Sequence, residues 1–217
     1  MTKHLIPPGI DAYAEQYSTP ESPVLAKLNR ETHMKVDKAI MLSGHLQGTM
    51  LQMISHMVHP VNVLEIGTYT GYSAICLAQG LKEGGKLHTI DIDEELQDMR
   101  DRYYKEAGLQ DKIVQHIGNA DEVISGLTMQ FDLVFIDADK VNYGMYYDMV
   151  FDKVPIGGYL LADNVLYEGD VILPEEQQRS NGKAMHLFNK KIKADTRIEH
   201  VLLPIRDGVM LIRKISN

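Results

Sequence analysis

The chain has no tryptophan and a single cysteine, Cys76. One thiol cannot build an internal disulfide framework, which suits a reducing compartment. Long apolar runs are missing too. Nothing approaches the roughly 18 consecutive apolar residues that a bilayer-spanning helix needs. The opening stretch, Met1 to Pro8, has no apolar segment followed by a small-residue cleavage site. There is no repeat of fixed period and no low-complexity tract. Positive charge is in short supply, with 22 Lys and Arg against 30 Asp and Glu and a net charge of −8. That balance argues against broad, non-specific nucleic-acid binding, which needs a basic face. Together these absences predict a cytoplasmic protein without a membrane partner. A nucleic acid remains only as the ligand of a local basic patch.

What is present is enough for a core. The 217 residues are 44% hydrophobic, which fits one globular domain spanning 1–217. Residues 1–58 read as an N-terminal arm followed by helices, and 61–215 as an α/β core. The arm covers 1–20 and ends at Thr19-Pro20. Val24, Leu25 and Leu28 recur at helical spacing over 21–30. Val36, Ile40, Leu51, Ile54 and Val58 mark a longer helix over 36–58, with a possible break at Ser43-Gly44 and a stop at Pro60. The period then changes. Strands are predicted at 61–66, 86–92, 113–117, 132–136 and 158–162, alternating with helices at 71–81, 93–107, 121–124 and 143–151. Asp93 is expected to cap the second of these helices. Residues 165–183 read as loop, 183–193 as helix, and 198–203 and 209–213 as two closing strands. Strand–helix alternation argues for a parallel sheet covered on both faces. The short link between the last two strands makes them antiparallel. The expected architecture is an open, doubly wound α/β sheet of about seven strands with extra N-terminal helices. Ligands bind such sheets outside the carboxyl ends of the strands.

The first strand runs into Glu65-Ile66-Gly67-Thr68-Tyr69-Thr70-Gly71-Tyr72-Ser73. Gly67 permits a tight turn and close backbone approach, and Gly71 opens the following helix. The spacing is G-x-x-x-G, not the G-x-G-x-x-G of pyrophosphate loops. A carboxylate-bearing ligand suits it better than a diphosphate. Glu65, at the mouth of the strand, would attract an ammonium or sulfonium group. The second strand ends at Asp91, where an acid is placed to accept ribose hydroxyls. A ribose, a cationic amino-acid part and no diphosphate describe S-adenosylmethionine. The bland alternative is a tight turn beside a solvated aspartate.

Strand four leads into Asp137-Ala138-Asp139-Lys140 and strand five into Asp163-Asn164. Both face one crevice. Asp137, Asp163 and Asn164 are three hard oxygen ligands suited to Mg²⁺, Mn²⁺ or Ca²⁺ rather than zinc. Such a set leaves room for two adjacent hydroxyls of an aromatic ring. A metal beside Lys140 and exclusion of water would lower its pKa enough to accept a proton. Taken alone, acids at strand ends are as often structural, and Asp139-Lys140 also reads as a surface pair.

From about Ser22 to Arg213 the chain resembles the cation-dependent O-methyltransferases of the caffeoyl-CoA and catechol group, in their plant and bacterial branch. The residues that carry the resemblance are Leu64 to Ser73, Ile90-Asp91-Ile92, Asp137-Ala138-Asp139-Lys140-Val141-Asn142-Tyr143, Asp163-Asn164 and Asp207-Gly208. The resemblance implies a Rossmann-like fold. It also implies that Glu65, Gly67, Tyr69 and Ser73 hold the methionine part of the cofactor, Asp91 the ribose, and Asn119-Ala120 the adenine. Asp137, Asp163 and Asn164 would bind the metal, with Asp137 also near the cofactor's amino group. Lys140 would be the base or an orienting cation, and Met41 would lie near the reactive methyl. The implied acceptor is a small aromatic with neighbouring hydroxyls, and the implied assembly a homodimer. Some relatives methylate a hydroxylated uridine of tRNA, for which Lys190, Lys191 and Lys193 are the available patch. Two departures stand out. Gln47 occupies a position where plant enzymes often carry Glu, and Asp139 replaces an aromatic gatekeeper.

Other features read as structural. Cys76 is expected to pack inside its helix. Met50, Met53 and Met57 have the spacing of a packed helical face, with a substrate or dimer surface as the alternative. His56 and His59 lack the carboxylate that a zinc motif would add. Tyr143, Tyr146 and Tyr147 fit either a pocket lining or a subunit interface.

Overall fold

The computed structural model describes residues 8–217. Among the described residues eight α-helices and seven strands follow in order: α1 (Pro8–Gln16), α2 (Pro23–Lys35), α3 (Gly44–Val58), β1 (Asn62–Ile66), α4 (Tyr72–Ala78), β2 (Lys86–Asp91), α5 (Gln97–Glu106), β3 (Ile113–Ile117), α6 (Ala120–Gly126), β4 (Leu133–Ile136), α7 (Tyr143–Phe151), β5 (Tyr159–Asp163), α8 (Ser180–Ala194), β6 (Ile198–Leu203) and β7 (Val209–Lys214). The strands form one sheet in the order β3-β2-β1-β4-β5-β7-β6. The first five are parallel, and β7 runs against both of its neighbours. The expected antiparallel pair is present, but its order is informative. The last strand inserts beside β5 and pushes β6 to the edge.

Side-chain alternation builds two cores. Val63, Leu133, Phe135, Leu161 and Val209 face α2, α3, α4 and α5. Leu64, Ile66, Val134, Ile136, Leu160 and Met210 face α6, α7 and α8. Strands buried on both faces explain why the sequence shows apolar runs instead of alternation. Cys76 is fully buried, as expected.

Several elements differ from the sequence expectation. The part of the arm within the described residues contains helix α1, while residues 1–7 lie outside them. The break considered at Ser43-Gly44 is present, since α3 starts at Gly44, but residues 36–43 do not form the expected α-helix: α2 ends at Lys35. Between them lies a short 3₁₀ turn, Ala39–Met41, preceded by Lys38 at φ +59 and followed by Gly44 at φ +74. Those left-handed residues stop a helix passing through. The apolar period at Ile40 does not mark a core face, because Ile40 is exposed. Asp93 does not cap α5, which starts four residues later. Its Oδ1 accepts from the Glu95 N–H, and its carbonyl accepts from Arg100. The stretch 165–183 is not all loop: it holds 3₁₀ turns at Tyr167–Ile172 and Glu175–Gln177, and the first turn of α8. The packed-face reading of α3 holds for Met50, but Met53 and Met57 are exposed. Among the described residues no helix is long and apolar enough to cross a membrane.

Candidate active site

The carboxyl ends of β1, β2, β4 and β5 share one edge of the sheet, and Glu65, Gly67, Tyr69, Asp91, Asp137, Lys140, Asp163 and Asn164 lie there or in the loops that follow. The loop after β1 is pinned from three sides. Gly67 donates its N–H to the Ile90 carbonyl. Its φ is +98, and a Cβ there would stand 2.1 Å from the Asp137 carbonyl oxygen. The glycine is therefore required by contact with the loop after β4, not only by a ligand. Asp91 Oδ2 accepts from the N–H groups of Thr68 (3.0 Å) and Tyr69 (2.7 Å), and Oδ1 from the Asp93 N–H. Its carboxylate organises the loop while Oδ1 keeps one lone pair for a further partner. Tyr69 adopts φ +50 and donates its hydroxyl to the Asp37 carbonyl, which ties the segment between α2 and α3 to the crevice.

Arg100 completes this arrangement and has no counterpart in the sequence reading. It is fully buried. Its guanidinium donates to the Tyr69 carbonyl (3.0 Å), the Asp93 carbonyl (2.7 Å) and Gln115 Oε1 (2.8 Å), and lies 3.9 Å from Asp91 Oδ2. One cation thus locks the loops after β1 and β2 together.

Glu65 is fully buried at the end of β1. Oε2 accepts from the Thr89 hydroxyl at 2.5 Å, whereas Oε1 has no hydrogen-bond partner of good geometry. Burial pushes the carboxyl up to about 8, against partial relief from the nearby Ser73 and Thr89 hydroxyls. An orphaned, buried carboxyl oxygen is costly and suits a cationic ligand. Ser73 lies in the first turn of α4, and Ala120 opens α6.

The second cluster lies at the ends of β4 and β5. Lys140 Nζ donates to Asp137 Oδ1 (2.9 Å) and to the Tyr143 hydroxyl (2.7 Å). Burial works against the Lys140 charge, but Tyr143, Asp137 and Asp163 outweigh it and hold the pKa above the ordinary lysine value. In the protein alone this lysine is therefore an ammonium, not a base. Asp163 is buried, and both burial and the charge on Asp137 raise its carboxyl to about 6. Its Oδ1 accepts from the Asn164 N–H and its Oδ2 from Gln47 Nε2, at 2.8 and 2.7 Å. Asn164 sits at φ +56, and its side chain helps to stabilise the Asp207 carboxylate. No group of three or more His, Cys, Asp or Glu capable of holding a metal occurs among the described residues. Two carboxylates and an amide would not form such a group. Two carboxylates next to an amide carbonyl, one of them destabilised by burial and by the other's charge, are the donor chemistry a hard divalent cation favours.

The remaining sequence candidates divide clearly. Tyr143 and Tyr147 are core residues, and Tyr146 donates to Asp139 Oδ1 at 2.5 Å. Lys191 pairs with Asp148 at 2.7 Å. With Lys190 and Lys193 it lies at the end of α8 that leads into β6, opposite the crevice. Nothing in the geometry favours an RNA acceptor.

Fold and crevice together define a methyltransferase-type α/β enzyme. The sequence profile of the O-methyltransferase family matches residues 15–215, and the chain belongs to that family. It is 34% identical over 207 residues to caffeoyl-CoA O-methyltransferase 1 of Eucalyptus globulus, covering 91% of this chain and 84% of that one. To caffeoyl-CoA O-methyltransferase 1 of Arabidopsis thaliana it is 35% identical over 208 residues, covering 91% and 80%. Among solved structures it is similar to the SAH-bound methyltransferase PaMTH1 of Podospora anserina (TM-score 0.87, 28% identity, 96% of this chain and 94% of the other). It is also similar to the O-methyltransferase TomG of Streptomyces achromogenes in complex with SAM (TM-score 0.88, 25% identity, 96% of each chain). The protein is an S-adenosylmethionine-dependent O-methyltransferase of the caffeoyl-CoA type.

Proposed function

We propose that this single-domain, cytoplasmic enzyme methylates one hydroxyl of a small catechol-like aromatic, with a divalent cation bound at Asp137, Asp163 and Asn164. Mg²⁺ is the expected ion, with Mn²⁺ or Ca²⁺ as alternatives. The observation that carries the reading is the half-buried Lys140 paired with Asp137 at 2.9 Å next to buried Asp163, whose carboxyl feels the Asp137 charge, in the same crevice as Glu65 and Asp91. The curated relatives carry caffeoyl-CoA in their names, and a caffeoyl group has two neighbouring ring hydroxyls.

Glu65, Gly67, Tyr69 and Ser73 hold the methionine part of the methyl donor, with Asp137 near its amino group. Asp91 accepts from the ribose, and Ala120 borders the adenine. Asp137, Asp163 and Asn164 would hold the cation, which would supply Lewis-acid polarisation of the acceptor hydroxyl to be methylated. Asn164 presents its amide carbonyl, and Asp137 and Asp163 their carboxylates. Lys140 orients Asp137 in the resting protein. As an ammonium, Lys140 Nζ would donate to the developing oxyanion of the acceptor; to act as base it would first give up one of its own protons to solvent and then take the acceptor's. The rest of the chain's contribution is alignment and exclusion of water, which reaches roughly 7–11 kcal/mol in good cases. A homodimer is part of the proposal, with the exposed Met53 and Met57 on α3 as candidate contact residues.

A methyl-transfer screen over catechols, flavonoids and tRNA, with and without Mg²⁺, tests this reading. Transfer to catechols that stops in EDTA supports it. Transfer to tRNA with none to catechols contradicts it.

A further inference from the structure

A buried chain of hydrogen bonds links three parts of the molecule that are distant in sequence. Gln47, in the first turn of α3, has no exposed surface. Its Nε2 donates to Asp163 Oδ2 at 2.7 Å, and its Oε1 accepts from Arg206 Nη1 at 2.7 Å. Arg206 sits in the turn between β6 and β7 at φ +50. Residues other than glycine enter that region only under constraint. The same Nη1 also donates to the Ser43 carbonyl.

The chemistry of the three groups makes this a directional device. A guanidinium only donates, so Arg206 dictates that the amide oxygen of Gln47 faces it. The amide nitrogen must then face Asp163. If Arg206 were absent, the amide could turn and set its oxygen against a buried carboxylate. With the Asn164 N–H on Oδ1, Asp163 is held by one donor on each oxygen, and each oxygen keeps a free lone pair. We propose that Arg206 and Gln47 are positioning residues, a relay that fixes the Asp163 carboxylate in the orientation that binds the divalent cation. The inference rests on the reading of Asp163 as a cation ligand.

The test uses the full chain with Gln47→Met, Arg206→Ala, both together, and Arg206→Lys. Mn²⁺ affinity is read from the paramagnetic resonance signal of the free ion, in the absence of acceptor. S-adenosylhomocysteine affinity and the thermal midpoint are measured alongside. Loss of a group that orients a metal ligand typically weakens binding about 10–100-fold. Gln47→Met and Arg206→Ala should each show such a loss. The double variant should be no weaker than the worse single, because both break one relay. Arg206→Lys should recover much of the affinity, and S-adenosylhomocysteine affinity should stay at the wild-type value throughout. If Gln47→Met does not fold, Arg206→Ala and Arg206→Lys alone decide. A lowered thermal midpoint with wild-type Mn²⁺ affinity overturns the relay, leaving Arg206 as a tie between the β6–β7 turn and α3. A wild-type chain that binds no Mn²⁺ removes the cation reading itself, and the relay with it.

Discussion

Glu65 offers a quantitative test of where the charge of the methyl donor is gripped. Burial lifts its carboxyl from the ordinary 4.5 to about 8, so at pH 7 the empty protein holds it mostly protonated. An α-ammonium seated on Glu65 needs the carboxylate. Binding of S-adenosylhomocysteine near pH 7 must therefore expel close to one proton. At pH 6 ionising the group costs about 2.7 kcal/mol, so affinity should be roughly 100-fold below its value above pH 8. Calorimetry between pH 6 and 8.5, in buffers of different ionisation enthalpy, reads both quantities. Glu65→Gln should abolish the proton release and flatten the profile. The stability of the empty protein carries the same information. The carboxyl ionises at 4.5 in the unfolded chain and about 8 in the folded one, so the folded state holds the extra proton between those values. Stability therefore falls as pH rises from 4.5 to 8, by about 4–5 kcal/mol in all. Glu65→Gln recovers that loss at high pH. Wild-type affinity that is flat across this range, with no proton released, would refute the assignment.

Other substitutions separate fold from chemistry. Gly67→Ala forces a Cβ to 2.1 Å from the Asp137 carbonyl oxygen at a positive φ, and should destabilise the protein by more than about 3 kcal/mol in denaturant titrations. Arg100→Leu leaves the Tyr69 and Asp93 carbonyls and Gln115 without their donor. It should cost about 2–5 kcal/mol and weaken S-adenosylhomocysteine binding in calorimetry, whereas unchanged affinity would mean the loops hold without it. Lys140→Ala should lower kcat about 10²–10⁴-fold with little change in the thermal midpoint, and near-wild-type turnover would remove Lys140 from the chemistry.

The strand framework is readable because β1, β4 and β5 are buried on both faces and announce themselves as apolar runs ending at a glycine or an acid, while edge strand β3 is only partly buried. The spacing from Gly67 to Asp91 reflects one complete strand–helix–strand unit, so it placed two site residues correctly relative to each other. The N-terminal region was harder to read. Gly44 marks the break before α3, but the non-helical stretch ahead of it depends on Lys38 adopting a left-handed conformation, which lysine does not announce. The β7–β6 order depends on tertiary packing at the sheet edge. Arg100 was invisible for another reason. It sits in α5 among charged neighbours, and only the converging carbonyls of two loops make its burial tolerable. The Gln47–Arg206 contact joins residues far apart in sequence, so no local pattern shows it, although Gln47 is itself a departure from the plant pattern.

The most direct measurement is the initial rate of methyl transfer from labelled S-adenosylmethionine to a catechol, compared with the same ring lacking one of the two hydroxyls. The protein is first stripped with chelator, and Mg²⁺ is then titrated back. The account predicts no product from the stripped enzyme, a saturable return of activity on the catechol, and little on the single hydroxyl at any Mg²⁺ concentration. Equal rates with and without chelator, or equal rates on the two acceptors, would contradict it.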